Sequence, residues 1–104
     1  MVTFGDGSTT DYRVLLGVPA SAPPPVLAGS GLAAPSGWIE PDRHTLATSV
    51  ERVYAVGDCT NIPNAIGALP KAGVFAAAQG EVAAANIAAD LLGTERARFD
   101  GHGF

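Results

Sequence analysis

Apolar residues gather into several short runs and one long one. Met1-Val-Thr-Phe4 is followed by Gly5-Asp-Gly-Ser8, which is turn chemistry. Arg13-Val-Leu-Leu-Gly-Val18 is the next run. Together they predict a β-hairpin with strands Val2 to Phe4 and Tyr12 to Val18. Pro19 has no N–H to donate and ends the second strand. Ser21 to Pro35 is rich in Pro, Ala and Gly. It predicts a crossing connection with at most one helical turn at Val26-Leu-Ala28, ended by Gly29 or Gly31. Ser36-Gly-Trp-Ile-Glu40 reads as a short strand and Pro41-Asp-Arg-His44 as a turn. Val53-Tyr-Ala-Val56 is short, β-branched and aromatic, with charges before it and Gly-Asp after it. It predicts a buried strand.

The long run is Lys71 to Leu92. Ala dominates its interior, Pro70 stands where a first helical turn accepts proline, and Gly93 stops it. It predicts the longest helix of the chain. Gln79, Asn86 and Asp90 fall on one narrow polar stripe. Most of the other positions are Ala, Val, Ile, Leu or Phe, and a helix apolar around most of its circumference is expected to be buried on several sides. The segment from Cys59 to Pro70 is punctuated by Pro, Gly and Asn and reads as a loop.

Composition sharpens this picture. The chain has 104 residues, of which 47% are hydrophobic and only 15% charged. That is apolar for one small domain, and it points to surface meant to face a partner or the rest of a longer chain. The net charge is -4 with no basic run, which argues against nucleic-acid binding. The single cysteine, Cys59, excludes an intrachain disulfide framework and reads as a small buried residue rather than a redox group. No signal peptide or membrane-spanning run is evident, so a cytoplasmic place is the default. Trp38 reads as a packing residue rather than a ligand-stacking one, and His44, in its turn, as solvated. No set of residues has metal-ligand spacing.

The candidate chemistry sits at the end of the Val53–Val56 run. Gly57 permits close approach of a ligand, and Asp58 places a carboxylate just past the strand, where open α/β sheets bind ligands. A carboxylate there accepts hydrogen bonds from sugar-like hydroxyls. Thr48, Tyr54, Ala55, Gly57 and Asp58 fill a Thr, five residues, aromatic-Ala-x-Gly-Asp pattern without a gap. This resembles the second flavin-binding motif of the pyridine nucleotide-disulfide oxidoreductase superfamily. The resemblance implies that Asp58 binds a hydroxyl of the FAD ribityl chain.

Leu69-Pro-Lys-Ala-Gly-Val-Phe-Ala76 through Glu81 is similar to the sulfide:quinone oxidoreductases and the flavocytochrome sulfide dehydrogenases. In these the helix start lies against the flavin ring, which implies cofactor contacts from Lys71, Ala72 and Gly73. The physics is compatible with that placement, because the first N–H groups of a helix lack internal partners and carry partial positive charge. Lys71 either adds a full positive charge there or is a solvated surface lysine. The resemblance covers residues 12 to 104. The sequence lacks a G-x-G-x-x-G followed by a helix for the FAD pyrophosphate, and it lacks the redox cysteine that many members carry. Phe104 reads as the first residue of a further strand.

The expected fold class is α/β: a partial Rossmann-like FAD-binding domain fragment with a β-hairpin, short strands and one long C-terminal helix. The resemblance implies one C-terminal-side piece, residues 1–104, of a flavin-dependent oxidoreductase. The isolated piece is expected to be inactive, not to retain FAD, and to self-associate in the absence of the remainder of the parent chain. Two alternatives stay open: a type II NADH:quinone oxidoreductase-like fragment, and a non-catalytic interaction module with a degenerate flavin fold. For the parent, the resemblance allows a peripheral place at the inner face of the cytoplasmic membrane.

Overall fold

The computed structural model describes residues 1–65 and 67–103. The reading of Phe104 as the start of a strand, and the Ile66 position of the predicted loop, lie outside them. The elements in chain order are β1 (Val2–Thr3), β2 (Thr9–Thr10), a 3-10 turn (Pro25–Leu27), a second 3-10 turn (Gly57–Cys59), β3 (Pro63–Asn64), β4 (Gly67–Ala68) and α1 (Gly73–Leu92).

The N-terminal hairpin forms, but with a different second strand from the predicted Tyr12 to Val18. The Phe4–Ser8 turn closes tightly: Gly7 N–H donates to Phe4 O over 2.9 Å and Phe4 N–H to Ser8 O over 2.8 Å. Asp6 accepts from both the amide and the hydroxyl of Ser8. This fixes the register as Thr3 opposite Thr9 and Val2 opposite Thr10. Tyr12 to Val18 lie beyond the paired residues and are exposed. The predicted loop after Cys59 contains a second small hairpin, with Pro63 opposite Ala68 and Asn64 opposite Gly67.

The predicted strands around Ile39 and Tyr54 are extended segments joined by single bridges. Ile39 pairs antiparallel with Ala33 and parallel with Thr60, while Tyr54 pairs antiparallel with Ala47. The turn between Ala47 and Tyr54 is closed by Thr48, whose amide and hydroxyl both donate to Val53 O. Within Val53–Val56 only Ala55 is buried; its neighbours are half-buried.

α1 begins at Gly73 rather than Lys71. Ala72 is extended (φ -143, ψ 141) and no side chain caps the helix. Gly93 ends it in the left-handed conformation, φ 69. The burial of α1 is the reverse of what its composition suggests. Its buried residues are Gln79, Ala83, Asn86 and Ala89, so Gln79 and Asn86 of the polar stripe face inward while Asp90 stays exposed. Val74, Ile87, Leu91 and Leu92 are exposed, and the helix is covered on one side only.

The core is small. Leu46, Ile62, Ala83 and Phe99 form it, with Tyr54, Val56, Leu69 and Phe75 packed against it. Leu46 is fully buried yet has a positive φ of 65. A bulky residue rarely adopts that conformation. It is held there by its N–H to Asp42 O, by Ala55 N–H to its own carbonyl, and by core packing. The tail is pinned to the turn before it: Phe99 N–H donates to His44 O over 2.7 Å, and His44 Nδ1 lies 3.2 Å from Phe99 O. His44 is therefore half-buried and engaged, not solvated. The radius of gyration is 17.7 Å, against about 13 Å for a compact domain of this length. No helix among the described residues is long and apolar enough to cross a membrane.

Candidate functional site

The chain leaves the extended Val53–Val56 segment through Gly57, whose φ of 73 suits glycine. A Cβ there would also meet the Ala76 Cβ at 3.3 Å. The turn therefore lies directly against the first turns of α1. Gln79 fastens it: its side-chain carbonyl accepts from Gly57 N–H over 2.6 Å, and the residue is buried. Thr60 completes the turn, its amide and hydroxyl both donating to Gly57 O. With the backbone polar groups thus occupied, Asp58 projects outward. It is exposed and has no hydrogen-bond or ion-pair partner among the described residues.

Lys71 stands across from it. Its ammonium donates to Thr60 O and lies 4.1 Å from the centroid of the Trp38 ring. This is a cation held by a carbonyl dipole and a π-face, not a solvated surface lysine. Trp38 is half-buried. Ile39 carries the same element onto the site, because its bridge to Thr60 runs through Ile39 N–H to Cys59 O and Asn61 N–H to Ile39 O. The space between the turn and α1 is nearly filled: a pocket of about 10 Å³ remains, lined by Gly57, Asp58, Lys71 and Ala72 among others. That is room for about one water. Asp58 and Lys71 also border a cleft of about 250 Å³ whose other walls are Ser21, Ala22, Pro24 and Trp38.

Four of the five residues singled out in sequence, Gly57, Asp58, Lys71 and Ala72, thus meet around one small pocket. Gly73 is the exposed first residue of α1 and does not line it. Cys59 is half-buried, and its thiol donates to Val56 O over 3.3 Å. No group of three or more His, Cys, Asp or Glu side chains suited to a metal ion occurs among the described residues.

No protein-family model matches the chain. A stretch of 60 residues, 57% of the chain, is 35% identical to the mitochondrial sulfide:quinone oxidoreductase of Mus musculus. It covers 13% of that protein, so the chain spans a small part of the relative's length. Over that stretch the chain is oxidoreductase-like.

Sequence reasoning missed two members of this arrangement. The pattern places Gln79 only on a polar stripe; the signal is its place two turns into a helix that follows a Gly-Asp turn. Trp38 reads as packing alone, and nothing in its local pattern pairs it with Lys71, 33 positions away. The Gly29-Ser-Gly31-Leu-Ala-Ala34 segment, with both glycines at positive φ, opens onto a β-bridge at Ala33 and not onto a helix. It therefore offers no helix N-terminus to a pyrophosphate.

Proposed function

We propose that this chain is the cofactor-facing segment of a flavin-dependent oxidoreductase related to the sulfide:quinone oxidoreductases, and that its fold is a partial Rossmann-like FAD-binding domain. One observation carries the reading: Gly57–Asp58 is clamped against α1 by Gln79 while the Asp58 carboxylate is left outward and unpartnered beside Lys71. The likeness to a sulfide:quinone oxidoreductase supports it and favours it over an NADH-linked relative.

The residues present fit part of FAD. A carboxylate without a protein partner suits a ribityl hydroxyl, which donates to it. Gly57 keeps the approach open, and the uncapped N–H groups at the start of α1, with the fixed Lys71 ammonium, suit a ring system that gains negative charge on reduction. When bound, the flavin supplies two-electron chemistry, taking electrons from a small reductant such as sulfide and passing them to a quinone-type acceptor. The chain's own residues hold and orient; none of them is assigned a covalent step. The pyrophosphate has no matching site among the described residues, so its binding falls to the remainder of the proposed parent.

The test is an FAD titration of the complete flavoprotein against its Asp58→Ala variant. The reading requires a loss of affinity in the variant. The 104-residue chain alone is expected to give no FAD-dependent turnover of sulfide with a quinone.

A further inference from the structure

Residues 11–20 leave the fold. All of them are exposed, and none takes part in a backbone hydrogen bond among the described residues. Within this arm Tyr12-Arg-Val-Leu-Leu-Gly-Val18 is β-prone and carries one charge. Leu16 is 92% exposed and Val18 is 100% exposed. The arm's backbone is unpaired, with a bend at Arg13–Val14 that straightens on pairing, and unpaired backbone with apolar side chains is a template for strand addition.

We infer that two copies of this chain associate by pairing their Tyr12–Val18 arms antiparallel across a two-fold axis at Leu15. For the chain on its own, one observation allows a second copy as the occupant and another favours it. The first is area. The chain exposes 7323 Å², about 1,900 Å² more than a compact monomer of its mass. A standard interface needs about 800 Å² from each partner, so the excess is sufficient for a dimer.

The second is self-complementarity. Centred on Leu15, the register places Val14 opposite Leu16, Arg13 opposite Gly17 and Tyr12 opposite Val18. Apolar side chains meet across the strands, and the only charge faces glycine rather than its own copy. Sliding the register toward the C-terminus brings Pro19, which has no N–H, into the ladder. Sliding it the other way draws in Thr10, which is already paired with Val2. Leu15 is thus the centre that keeps all seven residues paired. The interface is isologous and closes at two copies. A lone pair of strands is marginal in water, so the affinity is modest.

Sedimentation equilibrium of the 104-residue chain, with directed crosslinking, tests this. The wild type is expected to be dimeric at high micromolar concentration. Leu16→Asp is expected to raise the dimer Kd at least about tenfold while leaving the helical circular dichroism unchanged, because the arm lies outside the core. In a Cys59→Ala background, Leu15→Cys is expected to form an interchain disulfide readily and Arg13→Cys slowly. A monomer at all concentrations overturns the inference. So does a dimer indifferent to Leu16→Asp whose position 15 links no faster than position 13, which would put the contact on the exposed face of α1. Neither outcome bears on flavin binding, and the loss of FAD binding in Asp58→Ala leaves the arm pairing untouched.

Discussion

The Gly57 amide donates to the Gln79 side chain over 2.6 Å, tying the turn that carries Asp58 to the second turn of α1. Gln79 is buried and Gly57 half-buried, so removing the side chain leaves the Gly57 amide without its protein partner. Gln79→Ala is expected to cost about 1–3 kcal/mol. Urea denaturation followed by helical circular dichroism measures it. A cost within about 0.5 kcal/mol, the range of an ordinary surface substitution, would show that the clamp is incidental.

A second tie joins the other end of the segment to the helix. The Tyr54 hydroxyl donates to Asp90 over 2.6 Å, and Arg96 donates to the same carboxylate. The Asp90 acceptor raises the Tyr54 phenol above its ordinary value, and the Tyr54 hydroxyl, with Arg96, lowers the Asp90 carboxyl below its own. The raised phenol contributes stability that is present below its unfolded value and is lost as pH rises through the folded value. The lowered carboxyl contributes stability that is present above its unfolded value and is lost as pH falls through the folded one. The tie is therefore strongest between those limits. Phenolate absorbance titration is expected to show Tyr54 ionising at higher pH in the wild type than in Asp90→Asn. A phenolate titration unchanged by Asp90→Asn would contradict the bond.

Leu46 offers a test of backbone strain. At φ 65 a side chain is disfavoured, while glycine is not. Both Leu46→Ala and Leu46→Gly empty the same core site and are expected to destabilise by about 2–5 kcal/mol. The glycine variant is expected to be the more stable by about 1 kcal/mol, reversing the usual order. Thermal unfolding of the two variants decides it, and an alanine variant that outlasts the glycine variant would place the strain elsewhere.

The parts legible in the sequence were those governed by local chemistry. Gly93 ended α1 as its conformational freedom suggests, the Asp42 turn formed, and the Gly57–Asp58 turn came to the helix start. The face of α1 was not legible. Ala is small enough to lie on either side, so composition did not reveal that Gln79 and Asn86 would be the inward residues, each chosen by a backbone group awaiting a partner. The hairpin register was set by the Phe4–Ser8 turn and the Asp6–Ser8 bonds that close it, not by the apolar character of Tyr12 to Val18. The Lys71–Trp38 contact depends on the parallel bridge between Ile39 and Thr60, a non-local pairing without a sequence signature.

The central claim is that Asp58 touches the cofactor. FAD titration of the complete flavoprotein tests it directly, with Asp58→Ala, Asp58→Asn and Glu51→Ala compared with the wild type. Glu51 is the control: it lies in the same region, is fully solvated, and pairs only loosely with the equally exposed Arg52 over 3.6 Å. A hydrogen bond to a charged group contributes roughly 1.5–3 kcal/mol. Asp58→Ala is therefore expected to weaken FAD binding about ten- to a hundredfold, Asp58→Asn less, and Glu51→Ala not at all. Equal FAD affinity for the wild type and Asp58→Ala would contradict the account.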